Sequence, residues 1–132
     1  GFYKNKSAYL REFTKWFIST DTKNIATKTL REIILNLKGI GPETADTILL
    51  YALHRTSFVI DSYTRRIFGR LGYDTDVTYE RLQNTFMSSL PADVELYDRY
   101  HGLIVEHAKR HCNKQPICDG CPVRSLCKVP IE

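Results

Sequence analysis

The chain has 132 residues, 42% hydrophobic and 26% charged, an ordinary composition for one globular domain that argues against two independent cores of usual size. No apolar run approaches the roughly 20 residues a membrane helix needs, and nothing at the start reads as a secretion signal, so a cytoplasmic, nucleoid-associated protein is expected. A net charge of +4 permits nucleic-acid binding without establishing it.

In chain order the apolar periodicity is helical. Leu10, Phe13 and Phe17 mark a first helix, and Leu30, Ile33, Ile34 and Leu37 a second over residues 28–36. Gly39-Ile40-Gly41-Pro42 then breaks the pattern, with Pro42 placed at the first position of a new helix, where its missing N–H costs nothing. Ala45, Ile48, Leu49, Ala52 and Leu53 give that helix a continuous apolar stripe. A short apolar stretch, 57–60, leads to Asp61 at the entrance of a helix carrying Tyr63, Ile67 and Leu71, which Gly72 closes. Thr78 caps a helix with Leu82, Phe86 and Leu90, and a long helix with Leu96, Tyr100, Leu103, Ile104 and His107 runs into Cys112. The tail is cysteine-rich loop, and no strand pair is seen. The expected fold class is all-α with an irregular, ligand-stapled C-terminus.

Two features carry chemistry. Leu37-Lys38-Gly39-Ile40-Gly41 joins two helices with two glycines, which allow a tight turn and close approach of another backbone. Its free amides, with the positive end of the next helix dipole, suit a DNA phosphate, and Ile40 would plug the underside. Taken alone, the pentapeptide is as well read as a plain turn between helices. Cys112, Cys118, Cys121 and Cys127 form a Cys-x5-Cys-x2-Cys-x5-Cys set. Without a secretion signal such crowding favours ligation over disulfides, and four thiolates can hold a [4Fe-4S] cluster or a tetrahedral zinc.

Residues 37–45, LKGIGPETA, followed by an apolar helix, then residues 59–66, VIDSYTRR, and the terminal cysteine set, resemble the signature of the helix-hairpin-helix (HhH-GPD) DNA glycosylases. The chain is similar to endonuclease III and its iron–sulfur loop, and the hairpin's Glu43-Thr44-Ala45-Asp46 is similar to the 3-methyladenine glycosylase subgroup. The resemblance implies a helix-hairpin-helix domain over 1–111 and a [4Fe-4S] loop over 112–132, the first loop one residue shorter than in endonuclease III. It also implies that the chain is the C-terminal part of a longer fold whose first helices are absent.

The function implied by the resemblance is base-excision repair. Asp61 aligns with the family's catalytic aspartate, which stabilises the positive charge that develops on the sugar as the N-glycosidic bond breaks. The plain alternative is an aspartate set at a helix start by the dipole. Bifunctional members have a lysine at the position of Glu43, whose amine forms an imine with the sugar. A carboxylate cannot, so a monofunctional enzyme acting on an alkylated base is expected, with Glu43 either in the pocket or a solvated first-turn carboxylate. Gly39, Ile40, Gly41, Arg66 and Lys114 are the expected DNA contacts, double-stranded DNA with a damaged base the partner, and a monomer the expected state. His107 reads as a core or partly buried histidine rather than a ligand, and His101 and His111 receive no role. The rival functions are a glycosylase with AP-lyase activity and a non-catalytic DNA-binding module.

Overall fold

The computed structural model describes residues 3–128, and these are helical and irregular, with no strand among them. The contacts gather into two compact units, one up to Ser57 and one from Phe58.

In the first unit, α1 (Tyr3–Ser19) is followed by a short 3-10 turn (Thr22–Asn24), α2 (Thr27–Leu35) and α3 (Pro42–Thr47). Leu30 and Ile34 of α2 face Ala45 and Leu49 across the hairpin, all four out of contact with water, and Trp16, Ile25, Ile40 and Leu53 pack around them. Ile40 thus fills the underside of the turn, as the sequence implies. The apolar stripe expected of α1 is only half used: Phe13 stacks with Phe17 at 6.0 Å, yet Leu10 is 65% exposed.

Beyond Thr47 the helix widens into a π turn, Ile48–Ala52, in which Leu53 N–H reaches back to the Ile48 carbonyl. The extra residue in this turn rotates the helix face from that point on. As a result Leu50 is buried and Ala52 is exposed, the reverse of what an unbroken 3.6-residue repeat predicts.

Arg31 of α2 makes a bidentate ion pair with the buried Asp46 at 2.7 and 2.9 Å, and the Ser57 hydroxyl donates to the same carboxylate. A buried charge needs this degree of satisfaction to be tolerated. Arg55 ties the end of the unit to the 3-10 turn by donating to the Thr22 and Lys23 carbonyls.

The second unit starts with an extended, buried segment that runs into α4 (Ser62–Arg70), followed by α5 (Tyr79–Ser89) and α6 (Val94–Arg110). Each helix has a side-chain N-cap: Asp61 accepts from Thr64 N, Thr78 from Arg81 N and Asp93 from Leu96 N. Phe58 is the centre of an aromatic core, stacked on Phe86 at 4.6 Å and met edge-on by Tyr97 and Tyr100. Gln83 donates to the Phe58 carbonyl and Tyr79 Oη accepts from Ile60 N–H, so side chains replace the strand partner that this segment lacks. The helix α4 packs closely on α6. Leu103, expected on the apolar face of α6, is 64% exposed, because the buried stripe is Tyr97, Ile104 and Ala108. After α6 the cysteine loop returns to α4, where Lys128 N–H donates to the Arg70 carbonyl.

Candidate active site and cysteine loop

The hairpin belongs to the first unit. Gly39 has φ +82°, and a Cβ there would come within 2.1 Å of the Tyr9 ring, so both conformation and space require glycine. Lys38 extends over the same ring, its Nζ 6.0 Å from the centroid. Gly41 differs: it caps α3 in an extended conformation, and a Cβ there would meet nothing within 4 Å. Among the described residues no side chain caps α3, and Pro42 has no N–H, so the first-turn amides of Glu43 and Thr44 lack the cap partner that a serine or aspartate at Gly41's position would supply. Glu43 is exposed on that turn.

Asp61 belongs to the second unit, at the N-cap of α4, and is buried. Its Oδ1 accepts from Thr64 N–H at 2.7 Å and from the Thr64 hydroxyl at 2.9 Å. Its Oδ2 lies 3.2 Å from His101 Nε2 on α6, with both side chains nearly out of solvent. Burial pushes the carboxyl upward, but the hydrogen bonds from His101 and Thr64 and the His101 charge outweigh it and hold Asp61 below the usual carboxylate range. The site therefore presents an anion at neutral pH, at the positive end of a helix. His101, to which the sequence assigned no role, is thus in direct contact with the principal candidate.

The opposite end of α4 serves the cysteine loop. Cys112, Cys118, Cys121 and Cys127 form no disulfide with one another and line one cavity of about 620 Å³, together with Ile67, Arg70, Leu71 and His107. Among the described residues no three His, Cys, Asp or Glu side chains converge as the ligands of a single ion do. Arg70 donates to Cys112 Sγ at 3.1 Å and to the Asn113 carbonyl at 2.7 Å. His107 is partly buried, its Nε2 3.9 Å from Cys121 Sγ, and burial and the neighbouring His111 lower its pKa. Lys114 is exposed at the rim.

Arg66, expected on DNA, is partly buried and reaches the loop: its Nε donates to the Cys112 carbonyl at 2.7 Å and its guanidinium lies over the Tyr63 ring at 5.1 Å. An arginine so committed holds the loop to α4, a use that the sequence pattern could not separate from phosphate binding.

No family model matches the chain. It is 44% identical, over 96% of its length and 61% of the relative's, to a Methanocaldococcus jannaschii protein provisionally named a DNA repair glycosylase. It is 29% identical to endonuclease III of Sulfolobus acidocaldarius, covering 100% of this chain and 60% of that one. A solved complex of endonuclease III with DNA superposes with a TM-score of 0.77 at 25% identity, over 97% of this chain and 59% of that chain. The all-α fold is the endonuclease III helix-hairpin-helix fold, and the sequence and structure matches support the helix-hairpin-helix DNA glycosylase superfamily that includes endonuclease III. It spans about three fifths of the length of the relatives it matches. Among the described residues no helix is long and apolar enough to cross a membrane.

Proposed function

We propose that this chain is the catalytic part of a DNA base-excision glycosylase that hydrolyses the N-glycosidic bond of a damaged, alkylated base in duplex DNA. The observation that carries this is Asp61, an anionic carboxylate held by donors from two helices at the N-terminus of α4. As the base departs, positive charge develops on the sugar, and a fixed anion beside it stabilises that state and orients the attacking water. An alkylated purine already carries positive charge and is a good leaving group, which suits this modest apparatus. Glu43, exposed at the hairpin, offers no amine for an imine, which supports a monofunctional enzyme.

The first-turn amides of α3, with Gly39, Ile40 and Gly41, take a phosphate, and Lys114 adds a backbone contact. Cys112, Cys118, Cys121 and Cys127 would hold a [4Fe-4S] cluster, which supplies four tethers to a loop with little core of its own. A single central Cys-x2-Cys pair flanked by longer loops, where zinc ribbons show two close pairs, favours it over zinc.

The test is incubation of the anaerobically purified chain, alone and within any longer polypeptide its gene encodes, with duplexes bearing 3-methyladenine, thymine glycol or uracil. Abasic sites in the alkylated duplex, cleaved only by alkali and reduced about 10²–10³-fold by Asp61→Asn, are expected. A second reading, a glycosylase with AP-lyase activity, is favoured by the relatives named endonuclease III. Strand breaks without alkali and a borohydride-trapped adduct would establish it. Duplex binding without any product would make the chain a binding module.

A further inference from the structure

Asp61 is held by two unlike anchors. Both Thr64 bonds fall on Oδ1 and come from the first turn of the helix that Asp61 itself caps, so they would form wherever this helix forms. They leave the carboxylate free to swing about Oδ1. The second oxygen is met from another helix: His101 Nε2 approaches Oδ2 at 3.2 Å, with the side chains 12% and 11% exposed. His101 lies on the same stripe of α6 as Tyr97, Ile104 and Ala108, all buried, so the packing of α6 on α4 fixes where the imidazole stands. The other basic groups of α4's first turns look elsewhere, Arg65 to the Thr75 and Val77 carbonyls and Arg66 to the Cys112 carbonyl. From α5 the neighbouring titratable group is the Tyr79 hydroxyl, bonded to Ile60 N–H.

We propose that His101 is a positioning residue of the glycosylase site, whose Nε2 pins the Oδ2 edge of Asp61 so that the carboxylate meets the sugar in one orientation and as an anion. This rests on the catalytic reading of Asp61. The imidazole touches no reacting atom; it acts through the carboxylate. Preorganisation of this kind lowers the barrier only for the step in which charge develops, so its loss slows base release and leaves duplex affinity alone.

The experiment compares wild type with His101→Gln, which keeps a nitrogen donor, and with His101→Phe and His101→Leu, which do not. The Asp61 carboxylate is titrated by carbon-detected NMR, and single-turnover base release and duplex affinity are measured across pH. The donor-less variants are expected to titrate Asp61 at higher pH, to lose about 10- to 100-fold in single-turnover rate, the worth of one hydrogen bond to a charged group, and to bind duplex as before. Their acid limb moves to higher pH, and His101→Gln recovers most of both effects. An Asp61 titration unchanged in a folded Phe or Leu variant, or a Gln variant as slow as these, would overturn the proposal. If Asp61→Asn excises as fast as wild type, the catalytic reading fails by itself, and the titration still decides whether His101 governs the carboxylate.

Discussion

Gly39 and Gly41 stand two residues apart in one hairpin and answer to different constraints. At Gly39 the left-handed backbone and the Tyr9 ring both exclude a side chain, whereas at Gly41 no described residue comes within 4 Å of where a Cβ would stand. Gly39→Ala is therefore expected to destabilise the first unit by about 2 kcal/mol or more, from αL strain and overpacking together. Gly41→Ala is expected to change stability by less than about 0.5 kcal/mol and, on the proposed function, to weaken duplex binding, since its Cβ would stand at the proposed phosphate site. Denaturant melts and a binding isotherm on both variants separate the two effects. At the same scale Asp61 couples function to acid stability. Its folded pKa lies below the ordinary 3.8, so its stabilisation is complete above that value and lost as pH falls through the folded pKa. The stability gap between wild type and Asp61→Asn, read by melting at several pH values, is expected to close on the acid side. The N-cap itself was legible, because aspartate three residues before threonine at a helix start is a local pattern. His101 was not, because it lies forty residues away in sequence and its partner is set by helix packing.

At the scale of elements, α2 and α3 are joined by more than the apolar contact of Leu30, Ile34, Ala45 and Leu49. The Arg31–Asp46 pair is bidentate and its acid is fully buried, so Asp46→Asn leaves a poorly matched guanidinium and is expected to cost about 3–5 kcal/mol in a urea melt. In α6 the opposite case arises: Tyr97 is wholly buried and its hydroxyl has no hydrogen-bond partner among the described residues. Tyr97→Phe removes an unsatisfied group without removing the ring, and is expected to leave stability unchanged or raise it by up to about 1 kcal/mol. The existence and order of the helices could be read from periodicity and caps. Two details could not. The π turn at Ile48–Ala52 shifts burial from Ala52 to Leu50, and α6 buries Tyr97 and Ala108 where its sequence offers Leu96 and Leu103 as readily. Both depend on which neighbour the helix meets, and a periodic stripe wide enough to face several ways does not say.

For the whole molecule, the loop from Cys112 has few buried apolar side chains, and its attachments are polar ones, from Arg66 and Arg70 to Cys112, Asn113 and Lys114, and from Lys128 back to Arg70. Such a segment would draw its order from the cluster proposed for the four cysteines. With the proposed cluster in place, Cys118→Ser is expected to lose its iron and visible absorbance and to speed amide exchange in the loop and the end of α4, with the first unit unaffected. Hydrogen-exchange mass spectrometry on wild type and variant gives that map. By itself the sequence determined the helices, their caps, the hairpin, the aspartate at a helix entrance and the thiol set, because each is written in residues close together along the chain. Only the tertiary structure decided that Asp61 is held by His101, that Arg66 bonds to the cysteine loop, and that the four cysteines share one cavity. These are contacts between distant segments, and they depend on which helix faces pack, a choice made by the burial of the chain as a whole.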